Sequence, residues 1–398
     1  MDFALSGRQR AVQDLARRAA VEVVAPHARE SDERGEFRRD VIDELGRRGL
    51  LAAPLPSQFG GSDDDNVAMS LVYEEIGRVD SSVRGFLAVQ VGLVSQCLLD
   101  WGTEEQQARW LPLLGSGAAI GCYCLTEPEA GSDAASISTS ATRDGDGWLL
   151  SGDKHWITNG NAADVALVFA TSDPSMRSRG ITAFVVPTDT PGFEREKMPG
   201  RELGHRGSDH ATIRLREVRV GNDALLGKPG EGFKVAMSAL DHGRLGVAAG
   251  AVGVHQACLD ACVEFARHRR QFGRRIGDFE MIQAALADMS ADLEASRLLV
   301  RRAAWLRDWT GSNTDAVSTA KLFATEAAAR AADQAVLLHG GRGYSNQFPV
   351  ERYFRDTKGL QIYEGTSHIQ RIVVARHLLG RDDGAGSVPD ADRNVGRP

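Results

Sequence analysis

The run Ile362-Tyr363-Glu364-Gly365-Thr366-Ser367 sets one carboxylate between an aromatic ring and a glycine, just ahead of a helix start. Ser367 is placed to cap that helix, and Gln370, three residues on, would complete a capping box. An apolar stripe follows in Ile369, Ile372, Val373 and Leu379. A glutamate in such a setting is partly desolvated, which disfavours its charged form and moves its pKa toward neutrality. That is the tuning a general base needs to take a weakly acidic C–H proton near pH 7. The alternative is a surface glutamate in a loop before a C-terminal helix.

The elements that must position this carboxylate fall into three blocks. At 398 residues the chain is long enough for two or three domains. Residues 1–118 read as an α-helical domain, with apolar residues at helical spacing in Val12, Leu15 and Ala19, again in Val41, Ile42, Leu45 and Leu50, and a further helix over 66–78. Residues 119–229 change to short runs of β-formers between turns. Hairpin signals stand at Asp144-Gly145-Asp146-Gly147 and Ser151-Gly152-Asp153, with further strands at 165–170, 181–186 and 212–220. Residues 230–382 return to long helical periods over 244–268, 279–309 and 315–339, the pattern of an antiparallel bundle. The Asp-, Gly- and Pro-rich end, 383–398, reads as a disordered tail. The fold class expected is α+β: N-terminal helices, a middle β-barrel or sandwich, and a C-terminal four-helix bundle.

Bulk properties exclude several classes. A formal charge of −7 argues against general nucleic-acid binding. The five cysteines, Cys97, Cys122, Cys124, Cys258 and Cys262, are odd in number and lack zinc-site spacing, so a reduced, cytoplasmic protein is expected. Cys258 and Cys262 lie one helical turn apart and Cys122 and Cys124 alternate along a strand, so both pairs read as core. An Arg-rich amphipathic helix pattern begins the chain in place of a signal peptide, and no apolar run reads as long enough to span a bilayer.

Four further motifs accompany the Tyr-Glu-Gly-Thr run. They are Tyr123-Cys124-Leu125-Thr126-Glu127-Pro128-Glu129-Ala130-Gly131-Ser132-Asp133, Lys154-His155-Trp156-Ile157-Thr158-Asn159-Gly160, Arg269-Arg270-Gln271-Phe272-Gly273 and His339-Gly340-Gly341-Arg342-Gly343-Tyr344. In this order, over residues 5–380, the chain resembles the flavin-dependent acyl-CoA dehydrogenases, short-chain members in particular. The resemblance implies FAD, contacted by Tyr123, Leu125, Thr126, Gly131 and Ser132 and by Trp156, Ile157 and Thr158. Thr126 and Thr158 offer hydroxyls to the polar edge of an isoalloxazine ring, and Trp156 offers a flat face. It also assigns Arg269, Phe272, Gly340, Gly341, Thr366 and Ser367 to FAD, with Arg269 and Phe272 reaching the FAD of a neighbouring subunit in a homotetramer built as a dimer of dimers. A Gly-x-Gly-x-x-Gly between strand and helix is missing, so FAD is not held in Rossmann fashion. Ser132, Asp241, Arg244, Tyr363 and Gly365 are implied for the acyl-CoA substrate. The implied base is Glu364, because some members carry their glutamate where this chain has Gly243.

The implied reaction is α,β-dehydrogenation of an acyl thioester. Glu364 takes the α-proton while a β-hydride passes to the flavin. The thioester carbonyl accepts from the Glu364 N–H and a flavin ribose hydroxyl, and electrons leave to electron-transfer flavoprotein. An acyl-CoA oxidase, an enzyme of acyl-carrier-protein thioesters and a non-catalytic flavoprotein scaffold are the rivals. The chain departs from the family pattern at Glu280 and Leu337, where glutamines near the adenosine of FAD are usual. Finally, Arg84 opens the apolar run Gly85-Phe86-Leu87-Ala88-Val89-Gln90-Val91-Gly92-Leu93. A helix apolar all round is buried, and an arginine there needs an anion or hydrogen-bond partners. This stretch resembles glutaryl-CoA dehydrogenases, whose matching arginine receives the far carboxylate of the substrate, and dehydrogenases of malonyl-type carrier-protein thioesters. The acid that glutaryl-CoA enzymes carry seven positions earlier is Gly77 here. The alternative is an ion pair of Arg84 with Asp80, one helical turn back, or with another acid, that only braces the domain.

Overall fold

Helices build both ends of the chain and strands build its middle. This computed structural model describes residues 4–380, so the tail expected at 383–398 lies outside the described residues. The first domain holds α1 (Gly7–Ala19), α2 (Ala25–Arg34), α3 (Arg39–Arg47), α4 (Asn66–Val79), α5 (Ser81–Leu87), α6 (Gln96–Trp101) and α7 (Glu104–Ser116). Capping boxes of Ser6 with Gln9 and Thr103 with Gln106 start α1 and α7. The side chains of Asp65 and Asp80 cap α4 and α5. π-helical turns at Ala20–Val24 and Ala88–Ser95 join α1 to α2 and α5 to α6 into continuous helices.

The middle domain is one eight-stranded sheet: β1 (Gly121–Cys124), β2 (Ser140–Asp144), β3 (Gly147–Thr158), β4 (Val165–Thr171), β5 (Ile181–Pro187), β6 (Phe193–Lys197), β7 (His210–Val220) and β8 (Leu225–Leu226). Its order is β6-β7-β3-β2-β4-β5-β8, with β1 parallel beside β4. Asp144 pairs with Gly147 across a tight hairpin whose Gly145 takes φ 61°. The second hairpin signal is not a turn. Gly152 lies inside β3, where the register against β7 shifts, and a Cβ there would stand 2.5 Å from Thr139 Oγ1. The glycine marks a bulge with a close neighbour, a use of strand glycine that local sequence does not separate from a turn. Cys122 and Cys124 are wholly buried on β1, Sγ to Sγ 3.6 Å.

The C-terminal domain holds α8 (Gly232–His268), α9 (Glu280–Thr310), α10 (Thr314–His339), α11 (Val350–Leu360) and α12 (Ser367–Leu378). A small hairpin of β9 (Arg270–Gln271) and β10 (Arg274–Arg275) stands between α8 and α9. α8 starts well ahead of residue 244, so Asp241 and Gly243 lie inside it and not at its start. Its first residue, Gly232, packs on the backbone of Thr182 and Ala183, a tertiary contact that carries the helix across a stretch of weak periodicity.

Two helical runs, Ser81–Trp101 and Gly232–His268, are long and apolar enough to cross a bilayer, which corrects the sequence expectation. Their apolar windows are 78% and 72% buried inside the protein. Helices apolar on every side are what its interior requires. Between α4 and α8 the helices touch at backbone level. A Cβ on Gly77 would meet Gly250 Cα at 3.0 Å, and one on Gly253 would meet the Glu74 carbonyl oxygen at 2.2 Å. Gly253→Ala must push α4 off α8, an overpacking that costs about 1–3 kcal/mol. Thermal denaturation is expected to show a lowered Tm for this variant but not for Gly7→Ala, where nothing lies within 4 Å.

Candidate active site

Glu364 stands in the connection between α11 and α12, and both it and Gly365 are left-handed, at φ 57° and 88°. For a residue with a side chain this costs on the order of 1–2 kcal/mol and persists only where surroundings enforce it. Gln370 Nε2 donates to the Glu364 and Gly365 carbonyls at 3.1 and 3.0 Å. Lys321 Nζ donates to the Leu360 and Gly365 carbonyls at 3.2 and 2.8 Å. Arg244 Nε lies 3.4 Å from the Glu364 carbonyl. The cap of α12 is Thr366, which accepts from Ile369 N at 3.2 Å, and not Ser367 as the capping box would have it. Gln370 is drawn to the loop because two buried carbonyls there need donors. Ser367 Oγ is left buried without a partner.

The carboxyl itself is poised for proton transfer. Its Oε2 is buried and accepts no hydrogen bond. Burial pushes it up to about 7, against the pull of Lys321, Arg244 and Arg84. A Cβ on Gly243 would stand 2.6 Å from Oε2, so the glycine on α8 clears the space the carboxyl fills. Asp241 and Arg244, one turn of α8 apart, pair with each other at 2.8 Å, and Asp241 also accepts from the Thr314 hydroxyl at 2.5 Å.

Glu364 opens on a cavity of about 370 Å³ lined also by Tyr363, Arg84, His205, Trp156 and Thr158. A larger one, about 570 Å³, between α2, α8 and the segment before α11 holds none of the expected site residues, so volume does not locate the chemistry. Arg84 is wholly buried. Its Nη2 donates to the Tyr363 hydroxyl, and its Nε and Nη1 have no partner. Asp80, its expected partner, instead accepts from the N–H groups of Ser82 and Val83 at 2.7 and 3.1 Å. The cap wins because those helix-start donors have no carbonyl of their own. His205 Nε2 lies 3.4 Å from the Tyr363 hydroxyl. Burial and the Arg84 charge push its pKa down to about 3, so it adds no cation.

The residues expected to hold a flavin divide into two sets. Trp156 is 56% exposed at φ 58°, on the β3 bulge between Lys154 and Ile157, and both it and Thr158 face the cavity. The Thr126 carbonyl accepts from His155 N at 2.9 Å, which brings 125–126 beside 156–158. The buried Lys154–Glu127 pair, 2.7 Å, fastens the same two segments together. Gly131 and Ser132 are exposed, and a Cβ on Gly131 would meet nothing within 4 Å. Tyr123, Leu125 and Ile157 turn their side chains into the core, the Tyr123 hydroxyl donating to the Ala236 carbonyl at 3.2 Å, so they are left with backbone contacts alone. A flat aromatic cofactor with a polar edge fits this set, with the open indole and the Thr158 side chain in the cavity to receive it.

Arg269, Phe272, Gly340 and Gly341 do not line this cavity. Phe272 is 94% exposed at φ 49° on the β9–β10 hairpin, and Gly340 and Gly341 face open space. Glu280 and Leu337 are also exposed. Sequence reasoning missed Lys321, Gln370 as a loop clamp, and His205. Only Lys321 carried a signal, as a lone charge in the alanine-rich face of α10.

Three family models match in succession: the N-terminal, middle and C-terminal domains of acyl-CoA dehydrogenases, over residues 6–118, 122–218 and 230–379. The mitochondrial short-chain specific acyl-CoA dehydrogenase of Bos taurus is 43% identical over 354 residues, 89% of this chain and 86% of its own. A chain from a structure described for the electron transferring flavoprotein of Acidaminococcus fermentans superposes with a TM-score of 0.94 at 39% identity, covering 96% of this chain and 100% of that one. A glutaryl-coenzyme A dehydrogenase in complex with glutaryl-CoA gives 0.94 at 35% identity, with 97% and 98% covered.

The raised carboxyl has a consequence for stability. Folded, Glu364 titrates near 7 against an ordinary 4.5, so the folded chain keeps its proton where the unfolded chain has lost it. Stability therefore falls as pH rises through that window, and the loss is complete above it. Glu364→Gln is expected to exceed the parent in stability above pH 7 by up to about 3 kcal/mol. Denaturation at stepped pH should show the gap closing as the pH falls to about 4.5.

Proposed function

The chain belongs to the acyl-CoA dehydrogenase family and is an FAD-dependent oxidoreductase acting on acyl-CoA thioesters, and from that premise we propose how its residues divide the work. Glu364 is the base that takes the α-proton of the acyl group, on the Oε2 that no other group occupies. The carbonyl of the thioester accepts from the Glu364 backbone N–H, which stabilises charge developing as the α-proton leaves. Trp156, Thr158 and the 125–132 loop hold the flavin, with Thr366 and Ser367 at the start of α12. FAD, when bound, supplies the acceptor for the β-hydride. Asp241, Arg244, Ser132, Tyr363 and Gly365 serve the thioester side, with Arg244 reaching it through the loop it braces.

The carboxyl of Glu364, desolvated and titrating near 7 in a cavity walled by Trp156 and Thr158, carries this reading. Glu364→Gln is expected to bind FAD and acyl-CoA yet reduce the flavin about two to four powers of ten more slowly. Anaerobic stopped-flow absorbance measures it, and parental reduction in the variant would remove Glu364 as the base.

The likeness to the short-chain enzyme supports a short acyl group. Electron-transfer flavoprotein is the proposed acceptor, supported by the likeness to the Acidaminococcus chain. Oxygen uptake by the reduced enzyme would indicate an oxidase instead. The exposed Phe272 hairpin and the open Gly340-Gly341 turn support FAD shared across subunits of a homotetramer. Five buried free cysteines fit a reducing, cytoplasmic setting.

One observation favours a narrower substrate. Arg84 has no carboxylate in ion-pair contact among the described residues, and two of its nitrogens have no partner. A buried guanidinium of that kind suits a thioester, on CoA or a carrier protein, whose acyl group ends in a second carboxylate. A coupled decarboxylation is not part of this reading, because the position seven before Arg84 is Gly77, where an added Cβ would press at 3.0 Å on Gly250. Arg84→Ala is expected to lose about 10- to 100-fold or more in kcat/KM on glutaryl-CoA beyond any loss on butyryl-CoA, which reflects its effect on Glu364 alone. A parent enzyme that prefers butyryl-CoA would leave an ordinary short-chain dehydrogenase.

A further inference from the structure

Two lysines in the described chain are wholly buried, and they are partnered differently. Lys154 meets the Glu127 carboxylate at 2.7 Å. Lys321 has no carboxylate in ion-pair contact among the described residues; its ammonium donates to two backbone carbonyls, Leu360 and Gly365. A buried ammonium without a counter-ion is costly, and burial pushes Lys321 down to about 7. Those two carbonyls bracket Glu364: one closes α11, the other follows the base. Gln370, equally buried, donates from α12 to the carbonyls of Glu364 and Gly365. The loop is therefore stapled from α10 on one side and from α12 on the other. Glu364 itself is in the left-handed region, at φ 57°, which a residue with a Cβ keeps only when its surroundings over-determine it.

We propose that Lys321 and Gln370 are positioning residues for the dehydrogenation, holding the Glu364–Gly365 backbone in the left-handed form that aims the carboxyl past Gly243 into the cavity. This rests on Glu364 being the base. Lys321 has a second effect that Gln370 cannot have. The charged groups acting on Glu364 are Lys321 from α10, Arg244 from α8 and Arg84 from α5, and Lys321 is the strongest of the three. Of the tyrosines at the site, Tyr363 has its hydroxyl pushed up to about 12 by burial and Tyr123 is also raised by burial, so both are neutral there. Lys321 and Glu364 titrate in the same range and act on each other, so their protons come off as a pair, and without Lys321 the carboxyl loses the partner whose charged form favours its ionisation.

The FAD-loaded variants Lys321→Met and Gln370→Met test this, with Glu364→Gln in parallel. Both are expected to lower the rate constant for anaerobic flavin reduction by butyryl-CoA about 10- to 100-fold. KM should change by less than about threefold, the sign of a lost reacting geometry and not of lost binding. Amide hydrogen exchange over 361–366 should quicken in both. Only Lys321→Met should move the rising limb of the pH profile, and the shift should be upward. Should Lys321→Met fail to fold, the rate and exchange of Gln370→Met still decide. A parental rate constant and parental exchange in the folded variants, or a fall in Tm alone, overturns the proposal. If Glu364→Gln is inactive while these variants behave as the parent, the clamp fails and the base stands. If Glu364→Gln reduces flavin at the parental rate, the base reading fails and the clamp with it.

Discussion

A carboxylate oxygen with no hydrogen-bond donor, Glu364 Oε2, sets the terms for its surroundings. Left alone in an apolar pocket, such a group would stay protonated and be useless as a base near neutral pH. Three basic groups, Lys321 from α10, Arg244 from α8 and Arg84 from α5, offset the burial without touching the oxygen. The balance leaves the carboxyl near 7, where it can exist in either form. Direct ion pairing would have lowered it too far. The basic groups are instead occupied elsewhere: Lys321 with backbone carbonyls, Arg244 with Asp241, and Arg84 with the Tyr363 hydroxyl.

Close helix packing makes that balance possible. Gly77, Gly250 and Gly253 let α4 and α8 meet at backbone distance, and the Arg84 stem is pressed against Gly250. Gly243 on the same helix leaves the volume that the Glu364 carboxyl occupies. One helix thus supplies a space for the Glu364 carboxyl, a seat for a buried guanidinium and an arginine against the loop. The apolar character that would let α8 cross a membrane is here the consequence of being surrounded on all sides.

The middle domain contributes by turning a strand outward. The bulge in β3 puts Trp156 into a left-handed conformation with its indole half in the open, lining the same cavity as Glu364. The Lys154–Glu127 pair, buried and fully bonded, ties the 125–139 loop to that strand. Both walls of the cavity therefore carry a strained non-glycine residue, Trp156 on one and Glu364 on the other, each held by buried polar contacts. Strain of this kind concentrates where geometry matters more than stability.

Much was legible in the residues. Helical and alternating periods marked the three blocks, because amphipathic spacing is a local property. The Tyr-Glu-Gly-Thr run identified the carboxylate, because a glutamate beside glycine and an aromatic ring is already an unusual local environment. What escaped were matters of long-range contact. The strand glycine at 152 looked like a turn, since local sequence does not show that Thr139 lies against it. The cap moved from Ser367 to Thr366, since only the folded loop shows which carbonyls claim Gln370. Asp80 looked like a partner for Arg84 until helix-start N–H groups took it. Sequence by itself determined the elements, the candidate carboxylate and the family of chemistry, because these depend on spacing and residue type. Tertiary structure alone decided which charges stay unpaired, since pairing depends on which buried donors and acceptors, distant along the chain, are brought within reach of each other.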